Sequence, residues 1–192
     1  VYTMKTALSE AKATQTLTVT NNFADGETVT VEGQTYTFRA TPSRPYDVDL
    51  GVSAAVSLDN LKLAINAGAN AGEYGVDTVA HPLVTATTNT DTTQVVEARS
   101  FGTTANNYLV SETGANASWG AATLAGGVNP VANEVLIGAD AATSLDNIKS
   151  AVNDTGTEGT HYSTGTQAHP QVTADANAPT TQVFTARDFA VT

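Results

Sequence analysis

The chain has no cysteine, which removes disulfide frameworks, cysteine-based zinc sites and thiol nucleophiles together. Stability must then come from packing. Cations are scarce: 8 Lys and Arg stand against 19 Asp and Glu, for a net charge of −11. Nucleic-acid affinity depends on neutralising phosphates, and anionic membranes attract the same basic groups. Neither a nucleic acid nor a membrane is therefore expected as a partner. No apolar run approaches the roughly 20 residues of a spanning helix. The start, Val1-Tyr2-Thr3-Met4-Lys5-Thr6-Ala7-Leu8, lacks the apolar stretch of about 7–15 residues that a secretory signal needs. The expectation is either a signal already removed or assembly inside a cell, with upstream residues missing or a true start near Met4. Charged residues make up only 14% of the chain, against roughly 25% in ordinary globular proteins. Thr, Ala, Asn and Gly take their place, a mix that suits extracellular and particle-bound β-rich proteins.

What is present is a repeat. Gly51-Val52-Ser53-Ala54-Ala55-Val56-Ser57-Leu58-Asp59-Asn60-Leu61 matches Gly138-Ala139-Asp140-Ala141-Ala142-Thr143-Ser144-Leu145-Asp146-Asn147-Ile148, 87 positions later. Ala80-His81-Pro82-Leu83-Val84-Thr85-Ala86 then matches Ala168-His169-Pro170-Gln171-Val172-Thr173-Ala174, 88 positions later, and Thr92-Thr93-Gln94-Val95 with Ala98-Arg99 matches Thr180-Thr181-Gln182-Val183 with Ala186-Arg187. One residue has been inserted between the matched blocks, as a loop in a folded repeat tolerates.

Each copy carries a helix pattern. Ala54, Leu58, Leu61 and Ile65, and in the second copy Ala141, Leu145, Ile148 and Val152, follow the spacing of one buried stripe. Ser53 and Asp140 are the N-caps, since both side chains accept from first-turn amides. Asn66 with Gly68 and Asn153 with Gly156 mark the stops. Around the first helix the period becomes two. Leu17 and Val19, Val29 and Val31, then Tyr36 and Phe38 predict three strands with one buried face, and Glu32-Gly33 predicts a tight hairpin turn. Residues 84–88 and 94–98 predict a second hairpin, with counterparts at 172–174 and 182–186. Residues 108–112 and 121–125 predict two more strands, with Trp119 ahead of the latter.

The fold class is therefore α+β and β-rich: two related units, each with one amphipathic helix packed on a small, mostly antiparallel sheet. The expected division is an N-terminal arm at 1–13, a complete unit at 14–129 and a partial unit, helix plus hairpin, at 130–192. The second copy has no equivalent of the strands around Leu17 to Phe38. An open sheet edge of this kind favours association, and the missing strands are expected from the region of Leu124, from a neighbouring chain or from residues past Thr192. The arm is expected to order on a neighbour.

No catalytic residue, cofactor or metal is expected. His81-Pro82 and His169-Pro170 recur without acidic partners at ligand spacing and are read as structural turns, because Pro holds the preceding residue extended. His161, in a Gly- and Thr-rich loop, is read as solvent-exposed. Asp47-Val48-Asp49 becomes Glu134-Val135-Leu136 in the second copy, and neither has the loop of a calcium site. No Gly-x-Ser-x-Gly elbow occurs, and Gly126-Gly127 lacks the rest of a phosphate loop. Asn116-Ala117-Ser118 and Asn153-Asp154-Thr155 are not read as glycosylation sites. Tyr74 with Tyr162 and Phe101 with Phe189 are assigned to core or inter-unit packing, and Trp119 to burial between the copies.

Ala24-Asp25-Gly26-Glu27-Thr28-Val29-Thr30-Val31 with Gln34-Thr35-Tyr36-Thr37-Phe38, Glu134-Val135-Leu136-Ile137-Gly138-Ala139, and above all Ala115-Asn116-Ala117-Ser118-Trp119-Gly120-Ala121-Ala122-Thr123-Leu124-Ala125-Gly126-Gly127 resemble a module of tailed-bacteriophage structural proteins. The resemblance runs from about Thr14 to Arg187. It implies a non-enzymatic virion component, assembled in the host cytoplasm, that decorates a capsid or belongs to a tail or fibre. The implied partners are copies of itself, as a homo-oligomer, and other virion proteins. The alternatives are a receptor- or glycan-binding module using Trp119 or Tyr108, and a virion-associated hydrolase.

Overall fold

Alternation of small β-branched and hydroxyl side chains with turn residues gives short strands throughout the computed structural model, which describes residues 1–187. In chain order the elements are β1 (Thr3–Lys5), β2 (Lys12–Val19), β3 (Thr28–Val31), β4 (Gln34–Arg39), β5 (Asp47–Asp49), α1 (Ala54–Asn66), β6 (Val84–Asn89), β7 (Thr93–Phe101), β8 (Val110–Glu112), β9 (Ala117–Trp119), β10 (Glu134–Leu136), α2 (Ala141–Asn153), β11 (Val172–Ala174) and β12 (Phe184–Ala186). A 3-10 turn, Thr103–Asn107, follows β7. The chain is mixed α+β and β-rich. It divides into a continuous unit, Lys12–Gly127, and a split unit made of Val1–Ala11 and residues 128–187.

The continuous unit has two four-stranded sheets, β6-β7-β2-β9, wholly antiparallel, and β5-β4-β3-β8, in which only β4 and β5 run parallel. Helix α1 packs against strands of both. Its stripe is buried as its spacing predicts, with Leu58, Leu61 and Ile65 all at 0% exposure. They share one cluster with Leu17, Val29, Val31, Tyr36, Phe38 and Val96. Glu32 and Gly33 both take positive φ, 39° and 81°, the geometry that lets a two-residue loop join β3 to β4 without splaying them. Ser53 caps α1 by accepting from the Val56 amide, and Asp140 caps α2 from the Thr143 amide at 2.7 Å. The left-handed residue after each helix is Ala67 or Asp154 rather than glycine. A Cβ at Gly68 would sit 2.8 Å from the Leu63 Cδ2 methyl, which would have to turn aside.

One of the expected strands shifts. Residues 121–125 make isolated bridges, Leu109 to Thr123 and Thr14 to Ala125, and the strand forms at Ala117–Trp119. Leu124 is fully buried in the core of the continuous unit, so it is not the substitute strand of the second copy.

That substitute is the N-terminal segment. In the split unit β1 pairs in parallel with β10, Thr3 opposite Glu134, Met4 opposite Val135 and Lys5 opposite Leu136. The continuous unit pairs β4 with β5 in the same way, Thr37 opposite Asp47, Phe38 opposite Val48 and Arg39 opposite Asp49. Residues 1–9 therefore stand where residues 35–43 stand, 34 positions apart, with Tyr2, Thr3 and Ser9 identical to Tyr36, Thr37 and Ser43. The backbone bonds agree: Thr3 N donates to Asn133 O as Thr37 N does to Tyr46 O, and Ile137 N donates to Lys5 O as Leu50 N does to Arg39 O. Asn133 and Tyr46 even share a left-handed φ, 69° and 67°. The segment expected as an arm for a neighbour is thus a strand of the split unit. In sequence, the whole continuous unit is inserted into a turn that in its own copy is only residues 44–45.

The split unit is thinner. It has two two-stranded sheets, β1-β10 and β11-β12, with α2 against β10 and β11. Its cluster is Val135, Ala151 and Tyr162, joined by the partly buried Tyr2 and Ile148. On α2 only Val152 of the predicted stripe is buried; Leu145 and Ile148 are half-buried and Ala141 is exposed.

Candidate functional site

The polar side chains that recur between the copies are the natural candidates for chemistry, and their hydrogen bonds decide what they do. His81 is 2% exposed. Its Nδ1 accepts from the amides of Leu83 and Val84 at 3.2 and 3.1 Å. That leaves the proton on Nε2, which donates to the Val31 carbonyl at 3.1 Å. Burial holds the ring neutral by lowering its pKa below the usual histidine value, and the nearby Arg99 charge adds to this. His169 uses Nδ1 identically, accepting from Gln171 and Val172. Arg99 and Arg187 each donate through Nε to the carbonyl of their histidine. Asn66 and Asn153 clamp the next strand from the helix end, donating to and accepting from Ala86 and Ala174 respectively. Asn60 and Asn147 donate to the carbonyls of Asp49 and Leu136.

These groups splice helix to sheet. Asn66→Ala strips two backbone groups of their partner and is expected to cost the continuous unit about 1–3 kcal/mol, read as a lowered denaturation midpoint. Because the unfolded chain protonates His81 near 6.5 and the folded chain resists until lower pH, its contribution is complete above that value and is lost as pH falls through the folded value. The continuous unit should melt progressively lower from pH 7 to 5, and His81→Phe should flatten that slope while lowering stability at pH 7.

The acidic candidates are also engaged. Asp47 accepts from the Ser43 and Arg44 amides, both at 2.9 Å, and the Asp49 carboxylate lies 3.4 Å from Asn60 Nδ2. In the split unit Glu134 replaces Asp47. It accepts from the Ser9 amide at 2.7 Å and hydroxyl at 2.8 Å, with Lys5 Nζ at 3.2 Å. The Ser9 amide foremost, with its hydroxyl and Lys5, holds the Glu134 carboxyl below the usual carboxylate range. Among the described residues no group of three or more His, Cys, Asp or Glu is placed to hold a metal ion. An open depression of about 190 Å³ is lined by Arg39, Ser43, Arg44 and Asp47; Asp47 is spent as above, and Arg39 faces Asp25 at 3.7 Å.

The aromatic residues divide by role. Tyr74 and Tyr162 are core, at 7% and 1% exposure, each donating its hydroxyl to a loop carbonyl, Gly68 or Gly156. Burial foremost, then the Asp154 carboxylate, pushes the Tyr162 phenol up to about 12. Trp119 and Tyr108 pack partly buried against the core of the continuous unit, so Trp119 is accounted for within that unit. Phe101 lies under Lys12 Nζ at 5.3 Å from the ring centre, whereas Phe189 lies outside the described residues. His161 is partly buried, and its Nδ1 accepts from the Thr157 amide at 3.0 Å. No described helix is long and apolar enough to cross a membrane.

Backbone pairing identifies which strand carries the open edge expected of the second copy. Among the described residues β1 is an edge strand with nothing paired to its outer side, whereas its counterpart β4 is bordered there by β3. Comparison of the chain with protein-family models and with curated proteins finds no match to either.

Proposed function

We propose that the chain is a non-enzymatic structural component of a tailed-phage virion, binding copies of itself and a capsid or tail lattice. The observation that carries this reading is how the recurring polar side chains are used. Histidine, arginine and asparagine at matching positions of both copies are spent on backbone hydrogen bonds, so the repeated unit is a scaffold and what it offers outward is surface and sheet edge. The resemblance of residues 115–127 to virion modules supplies the setting. A polar, cation-poor exterior suits a protein whose partners are other proteins. Antibody labelling of intact particles tests it: label at fixed positions on head or tail, with the chain in constant ratio to the capsid protein, is the expected result. Recovery of the chain only in the particle-free fraction of a lysate overturns it.

A further inference from the structure

The two copies form a natural comparison, because the continuous unit shows what the split unit goes without. In the continuous unit β3 lies antiparallel beside β4, Val29 opposite Tyr36 and Thr28 opposite Thr37. Three things hold it there. The ladder is the first, extended by Phe38 N donating to Glu27 O and Gly26 N donating to Phe38 O. The second is the burial of Val29 and Val31, both at 0% exposure. The third is His81 Nε2 donating to the Val31 carbonyl.

Each of these sockets exists in the split unit, and each is empty among the described residues. Thr3 and Lys5 direct their backbone groups to β10 and the turn beside it. Strand alternation therefore turns the N–H and C=O of Met4, the counterpart of Phe38, to the open edge. Met4 is 37% exposed, where Phe38 is at 0%. Leu145 and Ile148 are half-buried, where Leu58 and Leu61 are sealed. His169 has Nδ1 occupied by two amides, so Nε2 is its donor, and among the described residues it has no hydrogen-bond acceptor. The exposure, the backbone edge and the unpartnered imidazole N–H coincide at the place of one strand.

We propose that the outer edge of β1, with His169, is a strand-addition site for an antiparallel extended segment of a partner protein carrying apolar side chains at alternating positions. Thr28-Val29-Thr30-Val31 supplies that chemistry in the continuous unit, which is why the occupant is a β-strand of this pattern rather than a helix or a glycan. Main-chain bonds to Met4 give affinity, the alternate apolar residues give register, and a carbonyl on His169 Nε2 fixes the far end. The inference rests on the internal repeat and stands whether or not the protein belongs to a virion.

The probe is a blocked nonapeptide with the sequence of residues 25–33, Asp-Gly-Glu-Thr-Val-Thr-Val-Glu-Gly, titrated onto the isotopically labelled full chain. The expected result is saturable shifts of the Met4 amide and the His169 ring, with signals of the continuous unit unmoved. Met4→Pro removes an N–H that the fold does not use, and edge strands tolerate proline there; it should weaken binding about tenfold or more, as should a peptide with proline in place of Val29. A site that ignores the peptide at millimolar concentration, or that binds the proline peptide equally well, overturns the proposal. A dimer of the full chain that Met4→Pro dissolves while the peptide has no effect assigns the edge to a second copy and overturns the occupant.

Discussion

Leu58→Ala is expected to cost the continuous unit about 3–5 kcal/mol, while Leu145→Ala, the same substitution at the matching position of the split unit, costs about 1–2 kcal/mol. The residues are the same and both lie on the second turn of a 13-residue helix. Leu58 is at 0% exposure inside a cluster that draws on strands of two four-stranded sheets. Truncating it leaves a cavity that a close-packed wall cannot fill, so the transfer loss and the cavity cost add. Leu145 is half-buried, its outer side meets solvent already, and only part of its transfer free energy is at stake. Separate probes make the comparison practical. Trp119 is the only tryptophan and packs on the core of the continuous unit, so its fluorescence follows that unit, whereas the ring signals of His161 and His169 follow the split unit. Equal losses at the two positions would mean that the α2 face is covered in solution.

The sequence displays local devices and hides pairing between distant segments. Both helices, both caps, the Glu32-Gly33 turn and the two hairpins were readable because each is written within a few residues. The structural role of the His-Pro pairs was readable from their recurrence, although nothing in the sequence pointed to Val31 as the partner of His81. The role of residues 1–9 was not readable. A three-residue strand carries no usable period, Met4 stands where the other copy has Phe38, and Leu8 stands where it has Pro42. Its partner lies about 130 residues away across a whole inserted unit, and a parallel pairing leaves no turn signature. The clue that was present is Tyr2-Thr3 against Tyr36-Thr37 followed by Ser9 against Ser43, a match visible only once the repeat is allowed to be split. Trp119 was placed on the wrong side of its strand because the small residues that follow it alternate as well as a strand does.

Deleting residues 1–9 should abolish the folded split unit while leaving the continuous unit with its melting temperature unchanged. The segment removes more than a strand. Tyr2 leaves a cluster whose fully buried members are only Val135, Ala151 and Tyr162. The Glu134 carboxylate, 4% exposed, loses the Ser9 amide, the Ser9 hydroxyl and Lys5 together. Lys5 is itself 39% exposed, so the main loss is the hydrogen bonding of the buried carboxylate, about 1–3 kcal/mol for each donor removed, and the lost aromatic packing adds about 2 kcal/mol, a sum comparable to the whole stability of a small domain. Ser9→Ala is the milder probe of the same joint. The Glu134 pKa is depressed in the folded state, so its contribution is present above the unfolded value near 4.5 and is lost as pH falls through the folded value; Ser9→Ala should lower the split unit's stability at pH 7 and shrink its loss on acidification. The deletion separates two accounts of the N-terminus. If residues 1–9 only rest on the surface, the His161 and His169 signals stay dispersed and the unit still melts cooperatively. If they are the missing β4 of an interrupted copy, those signals collapse to random-coil positions while Trp119 reports an intact neighbour, because residues 128–187 alone hold the helix and its hairpin but not the strand that closes their core.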